Sequence, residues 1–289
     1  MTDEQLKLLV NQVIEAITKV PEAENNNKND NNDDGEMIPD IRNEDYTKVL
    51  GFENAVNPEA FLRIKELTDA RLGIGRCGPR YRTKSYLRIL ADHAGALDAV
   101  QNEASEHLVE SNHLFPVQTM CENKDIYMTR PDLGKLFSDE MKEKIRQNCT
   151  LNPEVQIIVS EGLSSIAMER NITDLLSSLE QGLKAEGIKA GTPIYVKYAR
   201  VPAMDVITDV TKAKVTIMLI GERPGLSTYA SLSAYMTYEG KIGMPEAGRN
   251  VVSNIHDNGT NPLEAGAFIA SIVRKMLDQK ISGTDLKQS

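Results

Sequence analysis

The chain has 289 residues, 40% of them hydrophobic but never in a long unbroken run, with a formal charge of −9 and three cysteines. This argues against a membrane-spanning protein and against a nucleic-acid partner held mainly through its phosphates. Cys77, Cys121 and Cys149 are odd in number and never spaced C-x-x-C, which speaks against a disulfide framework or a zinc site.

Residues 1–20, MTDEQLKLLVNQVIEAITKV, place Leu6, Leu9, Val10, Val13, Ile14 and Ile17 on one helical stripe, with Thr2 and Gln5 as a capping box. Asp3 and Glu4 stand where a secretory signal carries cations. Residues 21–42, beginning PEAENNNKNDNNDDGE, contain too little apolar surface to offset the entropy of ordering them, and are expected to be a disordered linker. An amphipathic helix on such a leash is shaped for docking into a partner's groove. Folding back onto its own chain is the alternative, and the length of the leash favours docking.

Residues 43–150 read as mainly helical. Asn57 and Pro58 open EAFLRIKELTDAR, Thr83 is the expected N-cap of KSYLRILADHAGALDAV, and LFSDEMKEKIRQN forms a third helix. LFPVQTM and DIYMTR are strand-like. From Asn152 and Pro153 the runs EVQIIVSEG, PIYVKYAR, KVTIMLIGE and SAYMTYEG turn β-branched, and helical stretches separate the first three. That alternation predicts βαβαβ over 154–222 with a parallel sheet. Asn261, Pro262 and Glu264 then start a final helix. The expected fold is α/β: a mostly helical N-terminal region, 43–150, followed by a Rossmann-like three-layer domain with a largely parallel sheet, 151–289.

Gly73, Gly75 and Gly78 match G-x-G-x-x-G, but a helical segment precedes them and Pro79 and cations follow, where a dinucleotide finger needs a strand and then a helix. A stand-alone NAD(P)-dependent α/β oxidoreductase using this loop is the alternative reading. More informative are Arg71, Arg76, Arg80, Arg82, Lys84 and Arg88, six cations with no acid among them. They form either an anion-binding or subunit-docking loop or a solvated basic surface. GLKAEGIK has Ile188 where a P-loop needs lysine. His93, His107, His113 and His256 have no metal spacing, and SEGLSS fits helix-capping serines better than a nucleophile elbow. No self-contained catalytic set emerges. GERPGLS and RNVVSNIHDNGTNPLE are expected as loops at strand ends, where open parallel sheets bind ligands; Glu222 is the candidate there, with a surface salt bridge as its plain alternative.

GRCGPRYRT, YMTRPDLGK, GERPGLS, and SNIH followed by GT and a P-x-E-A helix start occur in an order and spacing that resemble the light (small) chain of ethanolamine ammonia-lyase, over about residues 43–285. The resemblance implies a subunit of an adenosylcobalamin-dependent lyase that converts ethanolamine to acetaldehyde and ammonia by a radical route. The substrate site then lies on a heavy (large) chain, and the cobalamin is held between the two chains. Carried over by position, the cobalamin contacts are Val201, Glu222 and Val251, with no catalytic or metal-ligating residue in this chain. Position 251 departs from relatives that have cysteine there. No D-x-H-x-x-G segment occurs, which favours a cofactor that keeps its own base on cobalt. The resemblance further implies that residues 1–20 direct the enzyme into a cytoplasmic ethanolamine-utilisation microcompartment; a purely structural adaptor of that compartment is the other reading.

Overall fold

The computed structural model describes residues 40–68 and 70–288. The helix expected over 1–20 and nearly all of the linker expected over 21–42 lie outside the described residues. In chain order the elements are α1 (Pro58–Glu66), β1 (Arg76–Cys77), β2 (Arg80–Tyr81), α2 (Thr83–Gln101), α3 (Glu106–Ser111), β3 (Phe115–Gln118), α4 (Lys124–Thr129), α5 (Asp139–Asn148), β4 (Val155–Ser160), α6 (Ser165–Ala185), β5 (Ile194–Lys197), α7 (Ala203–Thr211), β6 (Val215–Gly221), β7 (Leu232–Tyr238), β8 (Asn250–Ile255), α8 (Pro262–Gln279) and α9 (Thr284–Gln288).

Side-chain caps start several of the helices. Asn57 accepts from the Ala60 amide, Ser164 from Ala167 and Asn261 from Leu263, each worth about 1 kcal/mol to its helix. Ser164 and Ser165 of SEGLSS are thus helix-start residues. Thr83 is not a cap: it is the first helical residue of α2, and Arg82 before it makes no side-chain cap bond.

Six strands form one sheet in the order β3-β5-β4-β6-β7-β8. The pairs β3/β5, β5/β4 and β4/β6 are parallel, β7 is antiparallel to β6, and β8 is antiparallel to β7. The chain is α/β with a mixed, mostly parallel sheet, and the βαβαβ unit over 154–222 is present. Every residue of β4 and β6 is buried, as parallel strands covered on both faces require. On one face Ile157, Val159, Ile217 and Leu219 meet Leu175 and Leu179 of α6 and Ile269 and Val273 of α8. On the other, Ile158, Val196 and Met218 meet Ile145 of α5 and Met204 and Ile207 of α7. Helix α6 leaves β4 over the first face and α7 leaves β5 over the second, so the helices diverge at the carboxyl ends of these neighbouring strands.

Two expectations are corrected. DIYMTR is helical: Asn123 accepts from the Ile126 amide and closes the first turn of α4, a local bond that overrides the β-propensity of Ile126 and Tyr127. RNVVSNIH is not a loop, because Asn250–Ile255 pair with β7 as β8. Ile41–Ser289 form one unit, since β3, from the mainly helical part, satisfies its backbone only by pairing with β5.

Candidate functional site

The three residues singled out from the sequence converge on the sheet face that carries α5 and α7. Val201 lies in the turn between β5 and α7, where its carbonyl accepts from the Met204 amide at 3.1 Å. Its side chain packs on the cluster that also includes Tyr235 and Met218. Glu222 is the first residue past β6, its N–H donating to Ser231 O at 2.9 Å. Close backbone approach fixes this strand end: a Cβ on Gly221 would sit 2.2 Å from Glu161 O and 2.3 Å from Ser164 O, so only glycine fits there.

Val251 is not at a strand end; it is in β8, directly opposite Tyr235 of β7, which in turn faces Met218 in the middle of β6. Directly paired residues share a sheet face, so Val251 and Tyr235 lie side by side. Tyr235 Oη donates to Glu222 Oε1 at 2.8 Å. Burial and the adjacent Glu222 carboxylate push the phenol well above its usual range, so it stays a donor at neutral pH. Tyr235 therefore joins Glu222 to Val251, while Val201 packs on the same buried cluster. Val251 is 46% exposed, and Val201, Glu222 and Tyr235 are half-buried. The result is an open, largely apolar shelf with one carboxylate, whose Oε2 takes no hydrogen bond from another described residue.

Two segments that build the shelf are clamped from beneath. Arg249, just before β8, donates from Nη1 and Nη2 to Asp205 Oδ1 and Oδ2 of α7 at 2.9 and 3.0 Å, and from Nε to Glu246 at 2.9 Å. The side chains of Arg249 and Asp205 are 1% and 2% exposed. Next to Tyr235, on the same pleat of β7, the Ser233 and Thr237 hydroxyls are buried without a hydrogen-bond partner, as is that of Ser231 one step before the strand. Sequence reasoning missed Tyr235, Arg249 and Asp205. A tyrosine at an odd position of SAYMTYEG was the available signal for the first; a lone Arg and Asp 44 residues apart offered none.

The glycine-rich stretch has no dinucleotide geometry. Gly73, Gly75 and Gly78 have positive φ; the first two turn the chain between α1 and the short hairpin β1/β2, and Gly78 lies in the turn of that hairpin. Of the six cations around it, Arg71 and Arg88 both pair with Asp92, and Lys84 pairs with Glu44. Arg76, Arg80 and Arg82 make no ion pair among the described residues. They are exposed beside Tyr81, Tyr86, Leu87 and Leu90, each 42–52% exposed. GLKAEGIK is the carboxyl end of α6, with Gly187 at φ +70°. Among the described residues no three His, Cys, Asp or Glu side chains converge as a metal site, and no helix is long and apolar enough to cross a membrane.

Residues 58–287 match the family model described as ethanolamine ammonia-lyase light chain (EutC). The chain is 48% identical over 296 residues to an ethanolamine ammonia-lyase small subunit of Clostridium perfringens, covering 99% of this chain and 100% of that one. It is 51% identical over 251 residues to the small subunit of Fusobacterium nucleatum, covering 87% and 85%. The same-named protein of Listeria monocytogenes is 51% identical over 250 residues, covering 86% and 85%.

Proposed function

The chain belongs to the ethanolamine ammonia-lyase light-chain family, and from that membership we propose that it completes the adenosylcobalamin pocket of a large-subunit partner in a lyase that converts ethanolamine to acetaldehyde and ammonia. When bound, adenosylcobalamin supplies the radical chemistry; the protein binds, orients and excludes side reactions. The residues present fit such a group. Val201 and Val251 offer apolar surface to a broad flat ring system. Glu222 Oε2 accepts from amide groups at its edge. The three unpartnered hydroxyls on and beside β7 are the kind of buried polar atoms a ligand with many amides satisfies. Tyr235 holds the Glu222 carboxylate in one orientation.

The observation that carries this reading is the Tyr235 bridge from Glu222 to the strand position facing Val251. The test is equilibrium titration of adenosylcobalamin into the complex of both subunits. Glu222→Ala is expected to weaken binding at least tenfold; unchanged affinity would remove Glu222 from the site.

On the same reading, the hairpin arginines Arg76, Arg80 and Arg82 dock on the large subunit. Residues 1–20 direct the complex into the ethanolamine-utilisation microcompartment in the cytoplasm. Deleting them is expected to abolish encapsulation and spare lyase activity; loss of activity would mean that the segment belongs to the enzyme itself.

A further inference from the structure

The crevice where α6 and α7 diverge, at the carboxyl ends of β4 and β5, holds a second group of charges that the shelf does not use. Glu161, just past β4, is fully buried. Its Oε2 accepts from Tyr195 Oη at 2.8 Å and its Oε1 from the Tyr198 amide at 2.9 Å. Tyr198, just past β5, holds a left-handed φ of +61° and donates its hydroxyl to Glu103, whose other oxygen takes Lys197 Nζ at 2.8 Å. Every acid here is thus hydrogen-bonded.

Two cations are not fully satisfied. Lys124 Nζ is buried without a hydrogen-bond partner, 5.5 and 5.9 Å from the ring centres of Tyr127 and Tyr198. Arg200 lies 4.2 Å over the same Tyr127 ring and donates from Nη2 to Tyr127 O at 2.9 Å, yet its Nε is also buried and unpartnered. A buried N–H on a charged group without an acceptor is costly. Two such groups converging on one aromatic ring, at the point of an open α/β sheet where ligands bind, call for an anion. Burial pushes the Glu161 carboxyl up and the Lys124 ammonium down, and an anion seated against Lys124 and Arg200 favours the charged form of the lysine. A phosphodiester carries one negative charge and two equivalent free oxygens, one for each unpartnered donor.

We propose that Lys124 and Arg200 bind a phosphodiester, and, resting on the cobalamin reading above, that it is the phosphodiester of the cofactor's nucleotide loop. Arg200 immediately precedes Val201, so this anion site adjoins the shelf. The phosphodiester then fixes the nucleotide side of the cofactor while the shelf receives the ring.

The test compares adenosylcobalamin with adenosylcobinamide, which lacks the nucleotide loop, by spectrophotometric titration of the two-subunit complex. Lys124→Met is expected to weaken adenosylcobalamin binding at least tenfold and adenosylcobinamide less than twofold, with Lys124→Arg recovering part of the loss. Arg200→Lys, which keeps the charge and loses the Nε donor, carries the same comparison if the methionine variant does not fold. Equal loss for both compounds, or loss for neither, overturns the proposal. If the wild-type complex binds neither compound, the cobalamin reading fails and dimethyl phosphate decides the anion site on its own. Broadening of its phosphorus resonance by the wild-type chain, absent with Lys124→Met, supports the site; no broadening by the wild type overturns it.

Discussion

Tyr235 and Glu222, thirteen residues apart, are held together by one hydrogen bond that reaches from the middle of β7 to the residue just beyond β6. Glu222 sits where the chain leaves the sheet, and such a side chain has several rotamers open to it. The phenol selects one. Tyr235→Phe keeps the ring beside Val251 and removes only the donor. Adenosylcobalamin affinity of the complex is expected to fall three- to tenfold in equilibrium titration. Chain stability is expected to fall by about 1 kcal/mol in urea unfolding, the usual worth of one half-buried hydrogen bond. A stability loss with unchanged affinity would make the bond structural only.

The Arg249–Asp205 pair joins the start of β8 to α7, and with it the segments carrying Val251 and Val201. Both partners are almost wholly buried, so removing one strands the charge of the other. Arg249→Met is expected to destabilise the chain by about 3–5 kcal/mol, read from the urea midpoint. The double change Arg249→Met with Asp205→Leu is expected to recover much of that loss, since a buried ion pair replaced by apolar groups of similar volume is often nearly neutral. No recovery would mean that the pair specifies the packing of α7 and β8 beyond balancing its own charges.

Four tyrosines predict an alkaline limit. Burial raises Tyr127, Tyr195, Tyr198 and Tyr235 above the ordinary value of 10.0, with the Glu161, Glu103 and Glu222 carboxylates adding to it at the last three. A raised folded-state pKa favours the protonated phenol in the native chain. The contribution is complete below pH 10 and is lost progressively above it, where the unfolded chain ionises first. Absorbance near 295 nm during alkaline titration is expected to show these four phenols un-ionised past pH 10 and then ionising together with loss of the far-ultraviolet circular dichroism. Smooth titration of all tyrosines with the fold intact would contradict the burial described here.

What the sequence made legible was local or carried by strong periodicity. The apolar runs at 155–160, 194–197 and 215–221 announced the parallel strands, and Asn57, Ser164 and Asn261 announced helix starts. Glu222 was within reach because residues past strand ends are where open α/β sheets bind ligands, and only the motif resemblance added Val201 and Val251. Strand β8 escaped because VVSNI lies among Arg, Asn, His and Asp and pairs only at the sheet edge, where burial no longer writes an apolar run. α4 escaped because one Asn123 hydrogen bond outweighs the propensities of six residues. The Lys124 and Glu161 cluster escaped for a different reason: parallel pairing of β5 with both β3 and β4 brings together residues from three separate segments, and no spacing along the chain records that.

The basic hairpin gives the last prediction. From the sequence it carries six cations, but the structure neutralises three of them internally through Asp92 and Glu44. Arg76, Arg80 and Arg82 remain, exposed on a chain whose net charge is −9 and bordered by apolar side chains of α2. Like charges held 2–6 residues apart on a turn repel one another in isolation, and an acidic apolar partner surface reverses the sign of that interaction. Arg80→Glu with Arg82→Glu is expected to leave the melting temperature of the isolated chain within a degree or two, because neither residue is buried or ion-paired. Association with the large subunit is expected to weaken at least tenfold in analytical ultracentrifugation, most at low salt, where screening is least. Lysine at both positions should retain most of the affinity. Assembly and lyase activity equal to wild type in the glutamate variant would move the docking surface elsewhere and leave the hairpin a solvated basic turn.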